Sequence, residues 1–322
     1  MKGRIEKDNK VKEKTLKRLE GQPDIISSYY YSMSDKTALT KDNYIRQIIS
    51  FLKDINFSGD IEQLEAIRPS DINRYLEKIA TKDGAEKRKS DRYVATIYFS
   101  ISNFFDFLVK DDYLTSNICK KISPPHARIE TTPTYLTEEE LQLVIQNINK
   151  TANGRWKSRD LLIFILGCTT GLRISSIIEL NVEDVDLERN VITVTEKGNK
   201  TRECKIGSKT AELFKEWLGN RQIILDNNNV KDLDAVFISK YNNRISIGAM
   251  EKLIHKYTSF LGKHITPHKL RHTCGTLLFQ KKGNIKLVQE VLGHKNIANT
   301  MIYTHISDEM MQEAANVMDT LF

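Results

Sequence analysis

The sequence has few cysteines and no long apolar run, and each shortage excludes a class of protein. The four cysteines lie far apart and form no C-x-x-C pair, which argues against a disulfide framework and for reduced thiols in a cytosol. No apolar run reaches the ~18 residues that a membrane span requires. The N-terminus is too polar for a secretory signal peptide. We therefore predict a cytoplasmic protein with no membrane partner.

The charge balance is basic, because 49 lysines and arginines outnumber 42 acidic residues and give a net charge of +7. A basic balance favours a polyanionic partner, although many basic proteins bind no nucleic acid. The chain has 322 residues, which is enough for two domains with separate cores.

The N-terminal part of the chain has the periodicity of a helical domain. Residues 1–23 alternate lysine with acidic residues and are predicted as a basic arm, either solvated or in contact with a polyanion. Over residues 24–122, apolar residues recur at spacings of three and four, which predicts a bundle of four or five helices. Helix starts are assigned to Thr40, as an N-cap, to Pro69, and to the stretch after Gly84.

A cluster of basic residues is predicted in the first turns of the long helix after Gly84. The cluster consists of Lys87, Arg88, Lys89 and Arg92. Such side chains suit contacts with phosphate groups, and the alternative is a solvated helix face.

A break in composition separates the two halves of the chain. Three of the six prolines lie within residues 124–133, and proline fixes φ and removes a donor, so we predict an extended linker over 123–134. The capping box Thr137-x-x-Glu140 predicts that a helix opens directly afterwards. The domain boundary is therefore placed near residue 130.

An arginine follows the first apolar segment of the second half. An apolar helix is predicted over 159–168, Gly171 is expected to break it, and a new helix is expected from about Leu172. Arg173 then lies in a first turn, where a helix N-terminus attracts anions and an arginine strengthens the attraction. The alternative for Arg173 is a surface salt bridge.

A β-hairpin is predicted next, with lysines at its turn. Segments 191–195 and 201–206 alternate like strands, and the turn between them contains Lys197 and Lys200. A lysine in a turn is usually solvated, so this pattern alone assigns no role to either residue. The remaining elements are predicted as a helix over 209–218, a strand over 234–239 and a helix over 246–261.

Residues 266–305 combine groups that suit chemistry on a phosphate. Thr266 and Pro267 predict a helix start, and His268 shares a helix face with Arg271 and with His272. A second helix over 285–292 is predicted to end at Gly293, with His294 directly after it and Tyr303 in a short helical piece nine residues on. Two histidines four apart are also a zinc pattern, but the intervening residues are basic and lack the glutamate of metalloproteases.

The motifs HKLRH at 268–272, LGH at 292–294 and Tyr303 resemble the C-terminal signature of the tyrosine recombinases, the phage-integrase family. Gly-Leu-Arg at 171–173 resembles the first arginine motif of that family, and Lys197, just before Gly-Asn, resembles its hairpin lysine. The resemblance implies a mainly α protein with a small antiparallel β-sheet. It implies a helical core-binding domain over 24–122 and a mixed α/β catalytic domain over 135–307. A tail over 308–322 follows, which either docks on a neighbouring subunit or packs on its own.

The resemblance also implies a reaction. Tyr303 would attack a DNA phosphate and form a 3′-phosphotyrosyl link, without a cofactor or metal. Arg173 and Arg271 would hold the phosphate oxygens, and Lys197 would protonate the leaving 5′-oxygen. His268 would act as acid–base group for the nucleophile, and His294 would donate a hydrogen bond to the phosphate.

Two further residues, His272 and Ser176, are expected to contact the catalytic residues and hold them in place without contacting the phosphate. Ser176 stands where the family usually has an acid, three residues after the arginine, and is a departure from the family pattern. Lys200 and the basic cluster at 87–92 are expected to contact DNA. The implied partners are a specific double-stranded recombination site and further copies of the chain in a synaptic tetramer.

Three other functions fit parts of the pattern. A type IB topoisomerase would use the same chemistry as a monomer, and a DNA-binding protein that has lost catalysis would explain Ser176. A metal-dependent nuclease would require a metal ion. For a recombinase, the sequence leaves open whether it integrates and excises a mobile element or resolves chromosome dimers.

Overall fold

The computed structural model describes residues 2–81, 89–125, 134–196, 200–293 and 300–303. The chain divides into two compact units, Met1–Ile129 and Glu130–Phe322, and the division falls inside the stretch predicted as a linker. Within the described parts of the chain, no helix is both long and apolar enough to cross a membrane. Lys87, Arg88, most of the predicted linker and the tail over 308–322 lie outside the described residues.

The first unit is helical, as the apolar periodicity predicts. Its core is rich in aromatic rings, with Tyr29, Phe51, Phe104 and Phe105 almost fully buried. Such rings bury large apolar areas and pair edge to face, as Tyr29 does with Phe104 at 5.1 Å between centroids. The helices are α1 (Lys2–Leu19), α2 (Asp24–Ser32), α3 (Ala38–Asp54), α4 (Ile61–Glu65), α5 (Pro69–Ala80) and α6 (Asp91–Lys110), followed by a 3₁₀ helix, Ile118–Lys121.

The segment predicted as a basic arm is helix α1, and its last turns pack into the first unit. Thr15 is fully buried and donates a hydrogen bond to Asp42 on α3 at 3.2 Å. Arg18 lies 3.4 Å from the same carboxylate. Leu19 belongs to the hydrophobic core. The C-terminal half of α1 is therefore part of the folded unit, because a buried threonine and leucine anchor it.

Two helix starts differ from the sequence prediction. Helix α3 begins at Ala38, and its N-cap is Thr37, whose side chain accepts a hydrogen bond from the backbone N–H of Thr40. The prediction of Thr40 as the cap was wrong: both threonines are suitable N-cap residues, and the helix begins one turn earlier than predicted. Helix α6 begins at Asp91 with Ser90 as its cap, so Lys89 precedes the helix and Arg92 lies in its first turn.

The second unit surrounds a buried helix and carries the small antiparallel sheet that was predicted. Helix α8 packs against α7, α10 and α12, and the sheet order is β1-β2-β3 with Val191 opposite Lys205. The elements are α7 (Glu138–Thr151), α8 (Trp156–Thr169), α9 (Ile174–Glu179), β1 (Val185–Asp186), β2 (Val191–Glu196), β3 (Lys200–Lys205), α10 (Ser208–Asn227), α11 (Ile247–Thr258), α12 (Pro267–Lys282) and α13 (Ile285–Leu292), with 3₁₀ helices at Val182–Asp184, Ser259–Leu261 and Met301–Tyr303.

The predicted strand over 234–239 is absent from the structure, which has only isolated bridges there, such as Asn181 with Ala235. Residues 235–238 are buried, and side chains donate to several of their carbonyl groups. Arg221 donates to the Ala235 carbonyl at 2.8 Å, and the Trp217 indole donates to the Val236 carbonyl at 2.9 Å. The strand prediction was wrong because these hydrogen-bond partners come from residues outside the segment.

We predict that Thr37→Ala lowers the free energy of unfolding by about 1 kcal/mol, because the first turn of α3 loses its cap. Thr40→Ala is the matched control and is expected to cost less than half as much, since it removes only a contact between two hydroxyl groups. Urea denaturation followed by circular dichroism measures both. Equal losses, or a larger loss for Thr40→Ala, would contradict the assignment of the cap.

Candidate active site

The turn after α8 brings Arg173 to the site. Gly171 has φ +58, a conformation that glycine adopts without strain. A Cβ atom at this position would lie 2.4 Å from Cδ2 of Leu292 and 3.3 Å from Sγ of Cys274, so α12 and α13 both pack directly on this glycine. Helix α9 begins at Ile174, two residues after the predicted start near Leu172, so Arg173 is its N-cap residue and not part of its first turn. Arg173 is partly buried.

Arg271 joins three segments that are far apart in sequence. Its guanidinium is buried at 4% exposure. One terminal nitrogen donates to the Gly171 carbonyl, and the other donates to the Leu292 carbonyl at 2.5 Å. These bonds fix the orientation of the guanidinium next to the end of α13, because two of its nitrogens are each bonded to a different backbone oxygen.

The pKa of His268 is lowered by partial burial and by the positive charges of Arg271 and Arg173. Arg271 also bonds to the carbonyl of Gly171, two residues before Arg173, although 98 positions separate the two arginines in the chain. Such a group of cations is suited to hold an anion.

Tyr303 lies against α12 with its hydroxyl group on a histidine. Its side chain is 3% exposed, and the hydroxyl oxygen lies 3.0 Å from Nδ1 of His272. The phenol ring packs on Gly275, where a Cβ atom would lie 2.8 Å from Cζ of the ring. Phe279, Val288 and Leu292 complete the apolar surroundings.

The protonation states of this pair follow from burial. Burial raises the pKa of Tyr303 to about 12, and the charge of Arg271 opposes the rise. Burial also lowers the pKa of His272, and the charges of His268, Arg271 and Lys269 add to the effect. At neutral pH a neutral phenol thus faces a neutral imidazole.

The hairpin is anchored beside the end of α13. Arg202 on β3 donates to the Val291 carbonyl at 3.2 Å. This bond ties the hairpin to the segment that leads into His294, and the sequence analysis missed it because nothing distinguishes Arg202 from other strand cations. Lys197 and His294 lie outside the described residues, as does the side chain of Lys200.

Ser176, the departure from the family pattern, is buried on α9 at 6% exposure. His272 was expected to support the catalytic residues; in the structure its Nδ1 atom is in direct contact with the Tyr303 hydroxyl group.

Within the described residues, no group of three or more His, Cys, Asp or Glu side chains is placed to hold a metal ion.

Comparison with known proteins agrees with this geometry. The model of the phage integrase family matches residues 134–310. The chain belongs to the phage integrase family. Tyrosine recombinase XerC of Vibrio vulnificus is 31% identical over 295 residues, covering 90% of this chain and 88% of the relative. Tyrosine recombinase XerC of Caldanaerobacter subterraneus subsp. tengcongensis is 31% identical over 263 residues, covering 80% of this chain and 70% of the relative.

Solved structures of integrase-family proteins share the fold. XerH site-specific recombinase bound to palindromic difH substrate has a TM-score of 0.69 at 24% identity and covers 91% of this chain and 84% of that chain. The Tn1549 transposon integrase in complex with transposon right end DNA has a TM-score of 0.70 at 18% identity, covering 92% and 98%. The predicted fold class and the predicted family membership are both confirmed.

We predict that Gly275→Ala destabilises the second unit by about 1–3 kcal/mol, because the added methyl group overlaps the Tyr303 ring. Gly219→Ala is the matched control. Gly219 lies inside α10 with no atom within 4 Å of its added Cβ, so alanine is expected to stabilise the helix by about 0.5–1 kcal/mol. Chemical denaturation of the two variants should therefore give shifts of opposite sign. A neutral Gly275→Ala would contradict the packing of Tyr303 on this glycine.

Proposed function

We propose that the protein is a site-specific DNA recombinase that cuts and rejoins DNA through a 3′-phosphotyrosyl intermediate. The observation that carries the proposal is the position of the Tyr303 hydroxyl group, 3.0 Å from an imidazole of the HKLRH motif and close to the buried Arg271. The family assignment and the two XerC relatives, matched over most of their length, support recombination as the activity.

The proposed reaction exchanges one phosphodiester for another. The Tyr303 oxygen attacks the scissile phosphorus, the bond to the 5′-oxygen breaks, and a free 5′-hydroxyl group leaves. Arg173 and Arg271 hold the non-bridging oxygens as their negative charge grows, since a guanidinium offers paired donors to such oxygens. Lys197 protonates the leaving oxygen, and His294 donates a hydrogen bond to the phosphate. His268 accepts the proton of the Tyr303 hydroxyl group as its oxygen attacks, the role that the sequence analysis expects, and returns it when the strand is rejoined. No metal or cofactor takes part.

DNA is the proposed partner, and neighbouring structures with the same fold contain recombination DNA. Each unit has exposed cations for phosphate contacts, including Lys89 and Arg92 in the first. In the second unit, an open cavity of about 800 Å³ is lined by several cations, among them Lys240, Lys252 and Lys256. We infer that four copies assemble on two DNA sites in the reducing cytoplasm, where the four free, buried cysteines remain reduced.

The test is covalent capture of DNA. Fragmented DNA from the source organism is incubated with the protein, denatured complexes are collected, and the attached DNA is sequenced to find the site. A nicked duplex of that site then traps the intermediate, because the short leaving strand diffuses away. We expect a denaturant-resistant adduct with the unaltered protein and none with Tyr303→Phe, which lacks the attacking oxygen. Adduct formation should be unchanged in EDTA.

Two controls separate the alternatives. Tyr31→Phe removes an exposed hydroxyl group in the first unit and should leave the adduct unchanged. A supercoiled plasmid without the captured site should stay supercoiled; relaxation of any plasmid would identify a topoisomerase. Adduct formation by Tyr303→Phe, or a complete loss of cleavage in EDTA, would overturn the proposal.

A further inference from the structure

Arg202 on β3 is distant in the sequence from the motifs on α12 and α13, but it donates to the carbonyl of Val291 at the end of α13. We propose that Arg202 is a positioning residue: its bond to α13 holds the β2–β3 hairpin in place, so that Lys197 can give its proton to the leaving 5′-oxygen. The inference rests on the proposed function, because it names the residue that positions a group of that reaction.

The C-terminal end of α13 depends on donors from other segments. A helix leaves the carbonyl groups of its last four residues without partners inside the helix. These residues are Gln289, Glu290, Val291 and Leu292. The backbone N–H of Gly293 donates to the first two carbonyl groups. Arg202 donates to the Val291 carbonyl at 3.2 Å, and Arg271 donates to the Leu292 carbonyl. All four groups therefore have a donor, and two arginines from different segments bond to neighbouring carbonyl groups.

The two arginines also match the charge at this helix end. Backbone dipoles give a helix C-terminus a partial negative charge, which a nearby cation stabilises. The last turn of α13 has no basic residue of its own, so Arg202 and Arg271 supply the positive charge from β3 and α12. The hairpin and an arginine proposed to hold the phosphate are thus attached to the same helix turn.

The register of the hairpin explains how a strand cation reaches α13. Arg202 lies opposite Val194, and directly opposed residues of two strands point to the same face of a sheet. On that face, Ile192, Val194 and Cys204 are buried in the core of the second unit. Arg202 continues the buried face toward the turn, and there its guanidinium bonds to the end of α13.

The bond of Arg202 lies close to the turn of the hairpin. Two pairs of residues follow it toward the turn, Thr195 with Thr201 and Glu196 with Lys200. Thr201 is exposed and Thr195 is only partly buried, so neither of these two side chains anchors the hairpin in the core. Lys197 follows Glu196 directly in the sequence. Loss of the Arg202 bond is therefore expected to displace Lys197.

The chemical step defines what such a displacement costs. The Tyr303 oxygen forms its bond to phosphorus, the bond from phosphorus to the 5′-oxygen breaks, and Lys197 gives its proton to that oxygen. When sulfur replaces the 5′-oxygen, it leaves as a thiolate and requires no proton, because a thiol is a much stronger acid than an alcohol. Cleavage of the sulfur duplex thus depends on Tyr303 and the arginines that hold the phosphate, but not on Lys197.

Arg202→Met tests the proposal, because methionine keeps most of the aliphatic length but donates no hydrogen bond. Single-turnover cleavage is measured on the nicked duplex with oxygen or sulfur at the scissile 5′ position. We expect the variant to slow cleavage of the oxygen duplex by about 10- to 100-fold, and to cleave the sulfur duplex within about 3-fold of the unaltered rate, since only the proton donor is misplaced. Arg202→Lys keeps a donor and should recover part of the rate on the oxygen duplex.

The sulfur duplex is also the internal control for stability, because partial unfolding lowers the cleavage of both duplexes. Equal slowing on both, or no slowing on the oxygen duplex, would overturn the proposal. Arg189→Met is the matched control. Arg189 forms an exposed ion pair with Glu203 in the same sheet, and such pairs contribute little, so this variant should change neither rate.

A double variant tests whether Arg202 acts through Lys197. Lys197→Ala should show the same preference for the sulfur duplex, and adding Arg202→Met to it should slow the oxygen duplex no further. Effects that multiply would overturn the proposal while leaving the recombinase function intact. By contrast, absence of a covalent adduct with the unaltered protein on either duplex would count against the proposed function, and this inference would fail with it.

Discussion

The hydrogen bonds of Arg271 to two backbone carbonyl groups are the constraint on which the rest of the site depends. Gly171 follows α8, Leu292 ends α13, and Arg271 lies on α12 between them. A buried guanidinium requires partners for its donors, so these bonds stabilise the meeting of three segments and also fix a positive charge beside Tyr303. One residue therefore serves the packing of the second unit and the electrostatics of its site.

The same burial that orders the site opposes ionisation of Tyr303, the proposed nucleophile. Tyr303 is nearly inaccessible, and its pKa of about 12 is well above the ordinary value for a phenol. The imidazole in contact with the hydroxyl group belongs to His272, whose pKa is lowered by burial and by neighbouring positive charges. Ser176 is buried on α9, three residues after Arg173.

Much of the fold was predictable because its signals are local. The capping box at Thr137 and Glu140 forms as expected, and α13 ends at Gly293 with φ +65. Prediction failed in two places. Thr37 and Thr40 both suit a cap, so the local pattern does not choose between them. The run over 234–239 suits a strand, but side chains from outside the run donate to its carbonyl groups.

The sequence by itself determined the residue types of the site, their order and the helices that carry them, since caps, glycines and apolar spacing act over a few residues. It also indicated the family, because the motif residues stand at recognisable spacings. Only the tertiary structure decided which histidine touches Tyr303, how deeply the phenol is buried, and that Arg271 bonds to a carbonyl 100 positions away. Contacts of this kind depend on how distant segments pack, and protonation follows burial, so neither is contained in local spacing.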